Sequence, residues 1–370
     1  MFDILFIPYR DLYFWHCYGS AVRDLQFLEV LSDNKHVNSI TVLNRPVSLY
    51  ERILNKRKQK FNYNSVNVID VTSFDLLGPL KKRAWTVGCY NDHVDLFVSN
   101  YCQHGKNTLL VIDFTPFAIF PLVQSDRVMY WYDMIDNFTK HNCFSEQEKR
   151  LVDLKYQYVA ANYHFMTAVS GAAAHAITKH RMLNFDIVPN GVFTSKYSDR
   201  VQCNKAAEYD FGFVGFVTDK FDVDFVCSLA KRYSVVVYGE VYDKSVSNKL
   251  RSNGVHIKGR FTYNELPRLI SSFKIGLLPY LAEKSHDGSP LKLYEYLKNN
   301  TPCITSINYE YNSMFIVNYN ESKDLDADIK LLEKTSGDNS ISHSIPDEAY
   351  FSTRLENSMN ILMNEDSRDK

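Results

Sequence analysis

In the stretch from Gly288 to Ser306, GSPLKLYEYLKNNTPCITS, a lysine and a glutamate stand one helical turn apart just after a serine and a proline. That order suits the binding of a nucleotide. Ser289 has the hydroxyl of a helix cap, and Pro290 suits the first helical position, where its missing N–H costs nothing. Projected at about 100° per residue, Leu293, Tyr296 and Leu297 share one side of the helix, and Lys292 and Glu295 share roughly the opposite side. The first face should pack and the second should be displayed. A lysine in the first turn meets the positive end of the helix dipole, which is unfavourable unless an anion joins the free N–H groups there. A diphosphate reverses that sign. Glu295 could then accept two hydrogen bonds from a ribose diol. The plainer alternative is a surface pair worth about 0.2–0.5 kcal/mol.

Other groups could complete such a site. In YWYDMIDNF, residues 130 to 138, Asp133 and Asp136 follow an apolar run. If the segment after Tyr132 is helical, the two carboxylates share a face and one could act as general base toward an acceptor hydroxyl. The alternative is a helix start with Asp133 as cap and Asp136 in the capping-box position. After the first apolar run, Arg10, Tyr13, Trp15 and His16 offer stacking and hydrogen bonds for a polar acceptor, or simply cover the edge of the core. In DFTP, Asp113 reads as a turn or cap residue. His286 and Asp287 end the loop LAEKSHDG before the Ser289-led helix, the place where ligands approach in open α/β sheets. Gly215, Gly239 and Gly259 fall at or near strand ends, where a missing side chain lets backbone approach a ligand.

Those residues need elements to carry them. The first half gives apolar runs at 2–9, 39–43, 66–71, 94–98, 108–114, 128–132, 165–170 and 185–188, with a helical pattern through Val22, Leu25, Leu28 and Leu31. The rhythm stops over the polar stretch after FDIVPNGVF and restarts at 210–217, 234–240, 255–259, 273–280 and 302–306. Helical segments at 222–232, 263–272 and 290–299 lie between those runs. Alternation of this kind makes a mostly parallel sheet covered on both faces, once in each half. Residues 349–364 read as a final amphipathic helix through Phe351, Leu355, Met359 and Leu362, ahead of a disordered EDSRDK tail.

Composition excludes more than it selects. The chain has 370 residues, is 45% hydrophobic and 23% charged, and carries a formal charge of -1, ordinary values for a two-domain globular protein with no general field for nucleic acid. Seven cysteines, spread without a C-x2-C pair, read as reduced thiols in a cytosolic protein with no zinc site. No segment has the length for a signal or membrane span. Twenty-five tyrosines and 24 phenylalanines exceed what a core demands and could serve a carbohydrate or lipid surface, or reflect genomic habit. The basic runs 51–60 (ERILNKRKQK) and 81–83 (KKR) are solvated faces or a local attraction for anionic lipid. There is no G-x-G-x-x-G after the first strand, no P-loop and no H-E-x-x-H.

Two Rossmann-like halves, a VPNG crossing and the DGSPLKLYEYLKNNTPCITS segment resemble the GT-B glycosyltransferases, especially those of bacterial cell-surface polysaccharides. FVG at 213–215, VHIKGRFTYNEL and YDMIDNF resemble weaker landmarks of the family. The resemblance implies two doubly wound domains facing a cleft: 1–190 for the acceptor, 191–345 for the nucleotide sugar, and 346–370 crossing back as a helix and tail. It implies that Lys292, with Ser289, Pro290 and Leu291 at the helix start, meets the diphosphate. Glu295 meets the ribose, and backbone from Gly259 through Arg260 to Phe261 reads the base. Gly215 and His286 also fall in the donor site, and Arg10, Trp15 and His16 in the acceptor site. Retaining members carry a Glu-x7-Glu pair, whose first position here is Asp287, a departure by one methylene. In inverting relatives a first-domain carboxylate deprotonates the acceptor, here Asp136 and then Asp133.

The expectation is a cytoplasmic transferase, metal-independent and without a cofactor, moving a sugar from a nucleotide-diphosphate sugar to a glycan or lipid-linked glycan, with possible contact at an anionic membrane face and no nucleic-acid partner. The rival readings are a sugar-nucleotide epimerase and a non-catalytic subunit that binds sugar nucleotide or glycan.

Overall fold

The computed structural model describes residues 1–18, 22–54, 66–74, 80, 83–123, 125–193 and 207–366. The chain divides into two compact units, one made of Met1–Val188 with His286–Gly288 and Leu355–Lys370, the other of Pro189–Ser285 with Ser289–Arg354. Each is built on its own parallel sheet.

The first unit contains β1 (Phe2–Ile7), β2 (Val37–Leu43), β3 (Val47–Ser48), β4 (Asn67–Ile69), β5 (Thr72–Ser73), β6 (Thr108–Asp113), β7 (Val128–Met134), β8 (Phe165–Ala168) and β9 (Phe185–Ile187). Its main sheet runs in the order β4-β2-β1-β6-β7-β8-β9, while β3 and β5 form a separate pair. Every registered pairing is parallel. The middle strands are mostly apolar because helices cover both faces. β7, VMYWYDM, is buried at all seven positions.

The second unit contains β10 (Tyr209–Val214), β11 (Val235–Tyr238), β12 (His256–Gly259), β13 (Phe273–Leu278), β14 (Cys303–Thr305) and β15 (Ile316–Asn318). Their order, β12-β11-β10-β13-β14-β15, reverses between β10 and β13. Ligands bind outside the carboxyl ends of strands at such a reversal. Phe211, Phe213, Val235 and Val237 enter one core layer, and Val214, Val236 and Tyr238 enter the other, as the two-residue period of a strand requires.

Three local expectations are corrected. The run at 94–98 lies within the Arg83–His104 helix. Tyr90, Val94 and Val98 are buried four residues apart, a helical spacing that a five-residue window cannot distinguish from a strand. The aromatic loop after β1 is partly the helix Leu12–Tyr18, entered where the Asp11 carboxylate accepts from Phe14 N at 2.8 Å. After Tyr132 the chain does not become helical. Pairing with β8 continues through Asp133↔Thr167 and Met134↔Ala168, a short 3-10 turn follows at Phe138–Lys140, and the next α-helix begins only at Glu146.

Candidate donor-binding site and its neighbourhood

In the second unit the helix Leu291–Lys298 is fixed by its apolar face. Leu293, Tyr296 and Leu297 are each no more than 1% exposed, and each such burial contributes about 1.5–3 kcal/mol. The Tyr296 hydroxyl donates to the Leu277 carbonyl at 3.2 Å and accepts from Val214 N at 3.2 Å. The helix is thereby tied to β13 and β10, the two strands at the sheet reversal.

That anchoring brings Lys292 to the carboxyl edge of the sheet. Its Nζ lies 5.5 Å from the Phe213 ring centroid and 5.8 Å from that of Tyr280. Its stem crosses Gly215, the residue after β10. A Cβ there would stand 2.3 Å from Lys292 Cε, and the backbone φ of +124° is one that only glycine adopts readily. Gly239, after β11, has φ +136°, and a Cβ on it would reach within 2.0 Å of the Gly215 carbonyl oxygen. Gly259 ends β12 with φ +82°, and its carbonyl accepts from Gly239 N at 2.7 Å. Three adjacent strands therefore end in a row of bare backbone.

The half-buried Lys292 has no ion pair or hydrogen bond among the described residues, and burial pushes its ammonium down to about 8. A cation without a counter-charge, beside exposed backbone at a helix N-terminus, has the groups that an anion site requires. Glu295 is 8% exposed. Its Oε1 accepts from the Tyr263 hydroxyl at 2.8 Å, Oε2 stands 3.9 Å from Lys298 Nζ, and burial raises its pKa. The displayed face expected from the helical projection is thus mostly covered, because Tyr263, from the turn after β12, folds over it.

The helix start also differs from expectation. Pro290 takes the cap position with φ -79° and ψ 117°, Leu291 is the first helical residue, and no side chain caps the turn. Ser289 is 7% exposed. Its hydroxyl makes no hydrogen bond of ordinary geometry, although the Tyr294 hydroxyl is beside it. Arg260 reaches Glu240 at 2.6 Å, and Phe261 is partly buried against the core.

The other expected residues belong to the first unit. Asp133 lies inside β7, 0% exposed, with its carboxylate gripped by both Nε (2.8 Å) and Nη2 (2.9 Å) of Arg23 and by Thr167 Oγ1 at 2.5 Å. It holds the core together and is in no position to take a proton from an acceptor. Asp136 is partly exposed just past the carboxyl end of β7. His286 is 3% exposed rather than displayed; its Nε2 accepts from Asn142 N at 3.2 Å, and its ring packs 4.6 Å from that of His141. Asp287, at φ 59°, receives Asn137 Nδ2 at 3.0 Å and Lys140 Nζ at 2.8 Å. Arg10 is exposed and stacked on Tyr9 and Phe14, at 4.5 and 4.6 Å. Trp15, by contrast, is 1% exposed and donates through Nε1 to Asp24 at 3.2 Å, so its ring has no face left for an acceptor. The side chain of His16, residues 55–60 and 81–82 of the basic runs, and residues 367–370 of the tail lie outside the described residues.

Sequence reasoning missed Tyr263 and Tyr280 as members of the site. The only signal for Tyr263 was its place in the stretch after Gly259. Asp113 does form its turn, accepting from Thr115 N at 2.7 Å, but it also pairs with the fully buried Lys155 at 2.5 Å. Among the described residues no group of three or more His, Cys, Asp or Glu side chains could hold a metal, and no helix is long and apolar enough to cross a membrane.

Two Rossmann-like parallel-sheet units of this connectivity constitute the GT-B glycosyltransferase fold. Among solved structures the chain is similar to AviGT4, a glycosyltransferase involved in avilamycin A biosynthesis, at 11% identity over 97% of this chain and 96% of that one, with a TM-score of 0.58. It is also similar to the sucrose-phosphate synthase of Thermosynechococcus elongatus, at 13% identity over 100% and 99%, with a TM-score of 0.56. A third is the N-terminal domain of Candida albicans trehalose-6-phosphate phosphatase, at 9% identity over 96% and 92%, with a TM-score of 0.53. At these identities the likeness is one of fold. No protein-family profile and no curated sequence matches the chain.

Proposed function

We propose that the protein is a metal-independent glycosyltransferase that moves a sugar from a nucleoside-diphosphate sugar to a glycan or lipid-linked glycan in surface polysaccharide synthesis. The observation that carries this reading is Lys292, a desolvated cation without a counter-charge, lying across Gly215 at the sheet reversal. A protein core gains nothing from such a group, whereas a leaving diphosphate gains a charge-assisted contact together with the N–H groups of the helix start. Glu295, held by Tyr263, is the acceptor for the ribose hydroxyls.

In this reading an acceptor hydroxyl attacks the anomeric carbon. The new O–C bond forms as the bond to the diphosphate breaks, the acceptor proton passes to a carboxylate base, and the nucleoside diphosphate leaves with its charge met by Lys292. Asp136 takes the role of base because it stands at the open end of β7, while Asp133 is committed to Arg23. The protein would work in the cytoplasm, and the basic runs at 51–60 and 81–83 would meet an anionic membrane face.

The test is a thermal-shift and donor-hydrolysis panel with UDP-, GDP-, dTDP- and CMP-sugars, with and without chelator, on wild type and Lys292→Ala. Stabilisation by one of the diphosphate families, UDP, GDP or dTDP, indifferent to chelator and lost in the variant, is the expected result. No stabilisation by any donor overturns it. Binding without turnover, even with acceptors supplied, would instead identify a sugar-nucleotide-binding subunit, and donor conversion without acceptor an epimerase.

A further inference from the structure

The chain enters the second unit through Pro189–Phe193, and this segment is bonded to both ends of the Leu291–Lys298 helix. Asn190 Nδ2 donates to the Ser289 carbonyl at 2.5 Å, with the two residues 6% and 7% exposed. At the far end, Lys298 Nζ donates to the Phe193 carbonyl at 2.6 Å. Between them, Val192 N donates to the Ala349 carbonyl at 2.8 Å and Phe351 N to the Val192 carbonyl at 2.9 Å. Arg354 secures the beginning of the segment. Its Nη1 donates to the carbonyls of Asn190 (2.6 Å) and Pro189 (3.2 Å), its Nε donates to Glu348 O at 2.7 Å, and its guanidinium lies 5.7 Å from the Tyr294 ring of the same helix.

The helix needs such a support. Its first turn has a proline at the cap, no side-chain cap and no acidic residue, so nothing local fixes where the turn begins. Asn190, 99 positions away in sequence, supplies the missing tie from outside the helix. Ser289 and Pro290 lead directly into Lys292, so a shift of the Ser289 peptide carries the ammonium with it. We propose that Asn190 is a positioning residue for the nucleotide diphosphate, holding the entry to the helix so that Lys292 and the first-turn N–H groups converge on one anion. This deepens the donor-site reading above and rests on it.

The experiment measures UDP, GDP and dTDP affinity by calorimetry for wild type, Lys292→Ala, Asn190→Ala and Asn190→Ser, well below each protein's Tm, together with donor KM and kcat. The serine keeps a polar group but is too short to reach the Ser289 carbonyl, and it serves if the alanine variant does not fold. Loss of one buried hydrogen bond that orients a charged contact should weaken the nucleoside diphosphate about tenfold and raise donor KM similarly, with kcat at saturating donor little changed. A role confined to fold stability would lower Tm and leave the affinity of the folded fraction at the wild-type value. Wild-type affinity in the folded Asn190 variants, with Lys292→Ala defective, overturns this inference alone. Absence of nucleotide binding by wild type overturns the donor-site reading and this one with it.

Discussion

Replacing Lys292 with methionine should make the empty protein more stable and the nucleotide site useless. The methionine keeps an unbranched stem of similar length over Gly215, between the Phe213 and Tyr280 rings, and removes only the charge. Burial lowers the lysine from 10.5 to about 8. At about 1.36 kcal/mol per pH unit, that difference sets an upper bound of about 3 kcal/mol on the cost of keeping the ammonium charged at pH 7. A half-buried ammonium retains some water, which leaves about 1–2 kcal/mol. Between pH 8 and 10.5 the folded wild type binds fewer protons than the unfolded chain, so its stability rises with pH across that window. Methionine has no such slope. Its advantage should therefore be complete below pH 8 and absent by about pH 10.5. Urea midpoints at pH 7 and pH 10 measure this, and calorimetry with UDP, GDP and dTDP measures the loss of about 1.5–3 kcal/mol of charge-assisted contact. A methionine variant that is less stable than wild type at pH 7, or that binds nucleotide as well, would refute the argument that Lys292 is held for an anion.

Other substitutions separate site from scaffold. Gly239→Ala drives a Cβ into the backbone oxygen of Gly215, which cannot yield, and should cost more than about 3 kcal/mol in a thermal or urea midpoint. Gly215→Ala meets only the flexible end of Lys292 and an unfavourable φ, so it should cost about 1–2 kcal/mol while weakening nucleotide binding by displacing the ammonium. Asp133→Asn leaves the buried Arg23 guanidinium without its carboxylate and should destabilise by about 3–5 kcal/mol. Asp136→Asn should abolish transfer, and retained transfer in that variant, or a loss of activity alone in Asp133→Asn, would reverse their roles. Burial raises Asp24 from 3.8 to about 6, so the folded state binds the extra proton between those values. Stability should fall by up to about 3 kcal/mol as pH rises from about 4 to 6, a slope that Asp24→Asn removes from the urea midpoints.

The alternation of apolar runs with helical patterns was enough to define two parallel sheets, because strands buried on both faces are mostly apolar and the crossovers between parallel strands are usually helical. The packed side of the Leu291–Lys298 helix could likewise be read from its period. Where only a short window was available the reading failed, as at 94–98, since five apolar residues fit either period.

What the sequence determined by itself was the chemistry on offer: a lysine and a glutamate one turn apart, glycines at strand ends, and carboxylates after an apolar run. Which of them meet was decided only by the tertiary structure. Arg23 reaches Asp133 across 110 positions and makes a structural pair of a candidate base. Tyr263 folds over Glu295, Asn190 holds the peptide ahead of the helix, and the Lys292 stem settles on Gly215. The physical reason is that local sequence fixes only backbone period and turn. Burial, charge pairing and proton affinity depend on neighbours that the sheet order brings together from distant parts of the chain.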